Sequence, residues 1–195
     1  MSKLCIVEEE LYSHESLWRS STALASRLAE DSDDSHHLLI PALLTTFLAY
    51  EAFVNFAGHV VLPDLWADEK KNLKGKGIEG KLGMIVAAVP SFHWKKGESP
   101  YQKVRQLEVF RDLVAHGKVV VTKYKTIQQR DGSHFRFEHT WGEYLSQTSV
   151  LAARHDVHAF CQMLVADLRG VSDHPHLIFN AFEGPVAAGE STSDA

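Results

Sequence analysis

Apolar residues recur at helical spacing along most of this chain. A period of about 3.6 residues predicts a first amphipathic helix over residues 8–30. Residues 36–60 are apolar on nearly every side, which predicts a second helix buried at the centre of a bundle. Asp and Ser residues at 31–35 break the pattern between these helices and supply capping groups for the second one.

The same periodicity continues through the middle and the end of the chain. It predicts further helices at 63–71, at about 78–89, at 100–116 and at 147–168. A Lys- and Gly-rich loop separates the first two of these. The helix at 100–116 has an apolar stripe made of Val104, Leu107, Phe110 and Val114.

After residue 117 the period changes from about 3.6 to about 2 residues. Alternating residues on both sides of Asp131-Gly132, a strong turn signal, predict a β-hairpin at about 118–139. We therefore expect an all-α fold, a helical bundle with one inserted β-hairpin, in a single domain over residues 1–170. The segment 171–195 ends in small and polar residues and is expected to be a partly flexible C-terminal tail.

Charge is distributed unevenly along the chain. The net charge is −5, yet residues 70–130 contain 14 Lys or Arg and 4 Asp or Glu, a local charge of +10. The remaining residues hold 6 basic and 21 acidic side chains. A basic region attracts phosphates in a salt-dependent way, so Lys74, Lys76 and Lys118 are expected to contact RNA. A solvated lysine-rich loop is the alternative interpretation.

Composition favours a soluble, cytoplasmic protein. Cys5 and Cys161 are too few for a disulfide framework, and the N-terminus lacks the apolar core of a signal peptide. Residues 38–57 are long enough to span a bilayer, but Glu51 and Asn55 lie within them, and a charge at the bilayer centre is costly. We therefore expect no membrane association and assign these residues to the central helix.

Twelve histidines raise the question of a metal site. Three close pairs lack a Cys, Asp or Glu companion at convincing ligand spacing: His36 with His37, His155 with His158, and His174 with His176. No metal site and no other cofactor is therefore predicted. Most of the histidines are expected at the surface or at helix ends.

The run from Arg111 to Lys118 carries groups suited to phosphodiester cleavage. Metal-free cleavage of RNA needs a base for the 2′-hydroxyl, an acid for the leaving 5′-oxygen and a cation for the charged phosphate. Imidazole suits acid or base work near neutrality, which His116 offers, and Arg111 presents a planar fork for phosphate oxygens. An ordinary capped helix end is the alternative.

Arg111 and His116 do not share a helix face. At about 100° per residue, the two positions lie about 140° apart around an ideal helix. They converge only if the helix ends or unwinds near Ala115, which Gly117 permits, or if a second subunit completes the site. The second route predicts a homodimer.

Glu51 and Asn55 lie one turn apart on the same face of the second helix. Their neighbours are apolar, and a buried carboxylate needs a partner. Arg111, at the edge of the apolar face of its own helix, suits that role. The Glu51–Arg111 pair would either tie two helices together or position Arg111 within a site, and the two roles are compatible.

The sequences RDLVAH at 111–116 and AYEAFVN at 49–55 together resemble the HEPN family, the higher eukaryotes and prokaryotes nucleotide-binding domains. Ribonuclease members carry an Arg followed by a polar residue, and a His after four to six intervening residues, which correspond to Arg111, Asp112 and His116. The acidic residue and the Asn of the family's central helix correspond to Glu51 and Asn55. In element order, the resemblance covers most of residues 8–168.

The resemblance implies a HEPN-like bundle that dimerises and places two Arg–His pairs in one cleft. It also implies metal-independent RNA cleavage, in toxin–antitoxin, phage-defence or RNA-processing systems. The catalytic residues would be Arg111, Asp112 and His116, with Glu51 and Asn55 in a positioning role. The implied partners are RNA, a second copy of the chain, and an antitoxin or regulatory protein.

Two positions depart from the family pattern. Lys118 stands where some members have a Tyr that a partner nucleotidyltransferase modifies, so regulation by that route is not expected. Asp112 replaces the commoner Asn and adds negative charge near a phosphate. The expected function is a homodimeric endoribonuclease. The alternatives are a non-catalytic dimer that binds RNA, nucleotides or protein, and a purely structural bundle.

Overall fold

The computed structural model describes residues 11–29, 36–117 and 142–183, and within them the fold is all-α, as predicted. The helices are α1 (Ser13–Leu28), α2 (His36–Val61), α3 (Pro63–Trp66), α4 (Glu69–Asn72), α5 (Ile78–Ala88), α6 (Tyr101–Ala115) and α7 (Gln147–Leu168). Two 3₁₀ helices, Gly142–Tyr144 and Pro175–Ile178, flank α7. The β-hairpin predicted at 118–139 lies outside the described residues.

Helix α2 is the centre of the bundle. It contacts α1, α3, α5, α6 and α7, because its apolar residues point in almost every direction around its axis. Phe47, Phe53, Val54 and Ala57 are fully buried. Burying one such large side chain contributes about 1.5–3 kcal/mol, so α2 supplies much of the hydrophobic stabilisation.

By length and composition alone, α2 also meets the criterion for crossing a membrane. The stretch His37–Val61 has 25 residues and a mean hydropathy of 1.5 in its most apolar window. Half of that window is buried inside the fold. The neighbouring helices pack against α2 and cover this buried half.

Side-chain contacts give the helix directions. At one end of α1, the Tyr12 and Phe56 rings lie 5.7 Å apart, and further along α1 the hydroxyls of Ser21 and Thr46 lie 2.6 Å apart, so α1 is antiparallel to α2. Helices α6 and α7 are also antiparallel, because Tyr101 contacts Phe160 whereas Phe110 contacts Tyr144. The C-terminal end of α6 therefore lies near the start of α7.

The segment 171–195, expected to be a partly flexible tail, is folded in its first part. Residues 171–183 pack onto the bundle, and Leu177, Ala181 and Phe182 are buried. Phe182 stacks on Trp18 of α1 with ring centroids 4.2 Å apart, and Arg169 donates hydrogen bonds to the carbonyls of Leu177 and Phe179. The apolar residues of this segment therefore belong to the core of the bundle.

The contact between Gly58 of α2 and Trp66 of α3 gives a stability prediction. A Cβ atom at Gly58 would lie 2.1 Å from the indole ring, whereas a Cβ at Gly83 of α5 meets nothing within 4 Å. We expect Gly58→Ala to lower the free energy of unfolding by about 1–3 kcal/mol through overpacking. Gly83→Ala should raise it by up to about 1 kcal/mol through helix propensity. Urea denaturation of both variants measures these free energies of unfolding. Equal changes in the two variants would contradict the close contact between Gly58 and Trp66.

Candidate functional site

Helix α6 ends at Ala115, close to the predicted position. His116 nevertheless keeps helical backbone angles, φ −84° and ψ −8°, and its N–H donates to the Asp112 carbonyl at 3.1 Å. The chain leaves the helical path at Gly117, whose φ of +50° is in the left-handed region that favours glycine. The end of the helix therefore does not turn His116 towards Arg111.

Arg111 lies on the side of α6 that faces the core. Its guanidinium carbon lies 4.6 Å above the centroid of the buried Phe47 ring of α2, and its side chain is 29% exposed. One terminal nitrogen lies 2.8 Å from the Asp112 carboxylate, and Nε is buried with no hydrogen-bond partner in the described part of the chain. The cation–π contact and the ion pair hold the guanidinium at the edge of the core.

The opposite side of α6 carries His116. With about 100° per residue, Val109, Asp112, Leu113 and His116 fall within an arc of about 100°, and all four are exposed. Asp112 and His116 are neighbours one turn apart on this arc. Since Asp112 also binds the guanidinium of Arg111, it connects the core-facing Arg111 with the His116 side of the helix. We call the four exposed residues the outer face of α6.

Glu51 and Asn55 do not contact Arg111. The Asn55 side-chain oxygen accepts a hydrogen bond from Lys81 Nζ at 2.9 Å, and Lys81 also pairs with Glu69. Asn55 stands eight residues beyond Phe47, about 12 Å along α2. Glu51 is half-buried and forms no ion pair with any described residue. The predicted Glu51–Arg111 pair is therefore not formed, because Asp112 is the closer carboxylate.

The basic part of the sequence divides into two groups in the structure. Several of its cations are paired with acids, as Lys96 is with Glu79 and Arg105 with Glu79 and Glu108. Four lysines between α3 and α5 are exposed and form no ion pair with described residues: Lys70, Lys71, Lys74 and Lys76. We call these four the lysine segment. Lys118 lies outside the described residues.

A second polar cluster, which the sequence did not indicate, joins the two ends of the described chain. His14 and Glu15 in the first turn of α1 meet His176 of the C-terminal 3₁₀ helix, and all three side chains are buried. His176 Nε2 lies 2.5 Å from Glu15 Oε1. Burial, and secondly the neighbouring His176, lowers the pKa of His14 to about 3.

His176 is buried, an exception to the expectation that most histidines lie at the surface or at helix ends, and it has an acidic companion in space. Its companion is Glu15, near the other end of the chain, and ligand spacing within a short motif does not detect such a pair. The signal that was available is the adjacent His14-Glu15 at the start of an apolar helix. Polar side chains that are buried at the start of a helix need hydrogen-bond partners.

The packing of Arg111 predicts a measurable stability effect. We expect Arg111→Ala to lower the free energy of unfolding by about 1–2 kcal/mol, because it removes the contact with Phe47 and the ion pair with Asp112. Lys103→Ala, an exposed position on the same helix, should change it by less than about 0.5 kcal/mol. Chemical denaturation measures both values. Equal stabilities would mean that Arg111 does not support the packing of α6 on α2.

Comparison of the chain with protein-family models, with curated proteins and with solved structures finds no match. The geometry of this molecule is therefore the basis for inferring its function, and several of its features bear on such inferences. The features that carry them are the outer face of α6, the Arg111–Asp112 pair, the lysine segment and the buried His14–Glu15–His176 cluster.

Proposed function

We propose that this chain is a HEPN-like endoribonuclease that cleaves RNA without a metal ion and acts as a homodimer. The observation that supports the proposal is the outer face of α6, where the exposed apolar residues Val109 and Leu113 lie on the same side of the helix as the exposed His116. A role in a toxin–antitoxin or phage-defence system, with an antitoxin or regulatory protein as a further partner, fits such an enzyme.

The apolar pair supports dimerisation. Val109 and Leu113 are one turn apart and are 48% and 38% exposed. Exposure of large apolar side chains to water is unfavourable, so burying them against a partner would be stabilising. A second copy packed on this face about a two-fold axis would bury both residues in each protomer. Because His116 lies on the same arc as Val109 and Leu113, the two copies of His116 would approach each other near that axis.

The groups around His116 suit the chemistry of RNA cleavage. His116 is exposed and would donate or accept the proton at the reacting oxygens. Arg111 would stabilise the charged phosphate, and Asp112 would orient the guanidinium towards the cleft through their ion pair. In this arrangement, Asp112 is a positioning residue.

The lysine segment adds attraction of longer range. Its exposed ammonium groups raise the local concentration of a polyanion, and this attraction weakens as salt screens it. The segment lies close in sequence to Lys81, which binds Asn55 in the C-terminal half of α2. Since the described cations after it are largely paired, the lysine segment is the part of the basic region best placed to contact the RNA backbone.

A non-catalytic dimer that binds RNA, nucleotides or protein is the second candidate, and one observation favours it. Arg111 is held by both Phe47 and Asp112 and is mostly buried, which restricts its reach towards a phosphate. A protein with this arrangement binds RNA through its lysines without turning it over. The two candidates differ in one outcome, cleavage.

Cleavage by purified protein tests the proposal. We expect single-stranded RNA to be cut in the presence of EDTA, with 2′,3′-cyclic phosphate ends, because the chemistry uses side chains only. His116→Ala should reduce the rate by at least about 100-fold, since a general acid or base contributes roughly 10²–10⁴-fold. His93→Ala, which removes an exposed histidine elsewhere, should cut at the wild-type rate.

Three outcomes separate the candidates. Loss of cutting in His116→Ala alone supports the endoribonuclease. Equal cutting by His116→Ala and wild type would trace the activity to a contaminating nuclease and overturn the proposal. Retention of RNA on a filter, weakened by added salt and without cutting, would favour the non-catalytic dimer.

Dimerisation through the outer face of α6 is tested separately. We expect the wild type to elute as a dimer in size-exclusion chromatography with light scattering, and Leu113→Glu to elute as a monomer, because two buried carboxylates would repel each other at the axis. Leu151→Glu changes a residue of α7 with similar exposure and should leave the dimer intact. A wild-type monomer, or a dimer that survives Leu113→Glu, would contradict this interface.

A further inference from the structure

The cluster of His14, Glu15 and His176 has the donor set of a zinc site. Each residue offers one ligand atom, and these atoms all lie within 4.8 Å of one another. Two imidazoles and one carboxylate are a recurring ligand set for Zn²⁺, which prefers nitrogen and oxygen ligands in tetrahedral geometry. The cluster lies apart from the Arg111–Asp112 pair on α6, and the proposed cleavage of RNA does not use it.

The burial of the cluster supports a ligand rather than a solvated surface group. His14 is 2% exposed, and its Nε2 is buried without a hydrogen-bond partner among the residues that the structure describes. An unsatisfied buried nitrogen costs about 1–3 kcal/mol. Coordination to a metal ion satisfies such a nitrogen with its lone pair, which the neutral imidazole provides.

Zinc binding requires the ligand atoms, which lie within 4.8 Å of one another, to move to nearly equal separations. Two ligand atoms at about 2.0 Å from a tetrahedral zinc ion lie about 3.3 Å from each other. His176 Nε2 and Glu15 Oε1 lie 2.5 Å apart, so they must separate by about 0.8 Å. Rotation of the Glu15 side chain, in the first turn of α1, supplies a movement of this size.

The surroundings orient the ligands and leave room for a fourth one. The second carboxylate oxygen of Glu15 lies 3.6 Å from Arg19, so Oε1 faces the histidines while Oε2 faces the surface. The Tyr12 ring stacks on His176 at 3.7 Å, which fixes the plane of that imidazole. His14 also lines a cleft of about 360 Å³ with Tyr12, Asn55, His59 and His174, which is large enough to hold a water molecule as a fourth ligand.

We propose that His14, Glu15 and His176 bind one zinc ion, with solvent from the adjacent cleft as the fourth ligand. The ion ties the start of α1 to the C-terminal 3₁₀ helix, so it fastens the last buried segment of the chain to the bundle. The rival interpretation is a metal-free His176–Glu15 ion pair beside a buried neutral His14.

Zinc binding by the full chain tests the proposal. The purified protein is stripped with a chelator, dialysed against ZnCl₂ and assayed for bound metal, and X-ray absorption then reports the ligands. We expect one zinc per chain with nitrogen and oxygen ligands at about 2.0–2.1 Å. Saturating zinc at about 100 times Kd should raise Tm by roughly 5–10 °C.

The variants locate the ion. Glu15→Gln keeps the side-chain volume and should weaken zinc binding by more than about tenfold, and His176→Ala should abolish it. His155→Ala is the matched control, since His155 also lies beside a carboxylate, Asp156, but at the surface, and it should bind zinc as the wild type does. Glu15→Gln decides the result if His176→Ala fails to fold.

The outcomes are distinct from those of the cleavage assay. No zinc bound by the wild type, or equal binding by Glu15→Gln and the wild type, would overturn the site and favour the metal-free ion pair or a surface histidine pair. Because RNA cleavage is expected in EDTA, the loss of the zinc site would leave the proposed activity standing. Loss of RNA cleavage would equally leave the zinc site standing.

Discussion

Helix α2 has to be buried, and this requirement sets the positions of the other helices. A helix that is apolar on nearly every side must be covered on nearly every side, and α1, α5, α6 and α7 supply that cover. The position of each neighbouring helix is set by its contacts with side chains of α2. His14 meets Phe53, Lys81 meets Asn55, and Arg111 meets Phe47.

The same constraint explains why polar groups on α2 have specific partners. Thr46 shares a hydroxyl–hydroxyl contact with Ser21 of α1, and Asn55 accepts from Lys81 of α5. A polar atom that leaves water for this environment costs free energy unless it finds such a partner. The partners differ along α2, so the helices pack in one register against it.

Packing against α2 also sets the orientation of α6. The apolar stripe of α6 faces α2. Arg111 lies on the same side and contacts Phe47, whereas His116 lies on the opposite side of α6. Asp112 is the one residue of the predicted site that contacts Arg111 and is one turn from His116. Because Arg111 and His116 lie on opposite sides of α6, the proposed cleavage depends on a second copy of the chain to bring one Arg111 near one His116.

Much of the fold could be predicted from the sequence, because its helices are determined by local periodicity. The predicted bounds of α2, α5, α6 and α7 agree with the structure within two residues, and the predicted helix at 63–71 is divided into α3 and α4. The site could be predicted less well. Arg111 has a long side chain whose partner depends on which carboxylate is nearest in space, and Asp112 is nearer than Glu51.

The two features that the sequence did not predict both depend on contacts between distant parts of the chain. Leu177 and Phe182 are apolar residues in a short segment without periodicity, so nothing local marks them as core. His176 meets His14 and Glu15 only because the C-terminal segment folds back onto α1. Spacing rules for metal ligands detect neighbours in sequence, and this cluster consists of neighbours in space.

If Arg111 and His116 work together across two copies of the chain, two different inactive variants should restore cleavage when they form a mixed dimer. Arg111→Lys, which keeps the charge but loses the planar fork, and His116→Ala would be co-expressed with different tags and purified through both. We expect two inactive parents and a mixed dimer with about half the wild-type cleavage rate, because one of its two shared Arg–His pairs is intact. A mixed dimer no more active than either parent would show that no site is shared between the two copies.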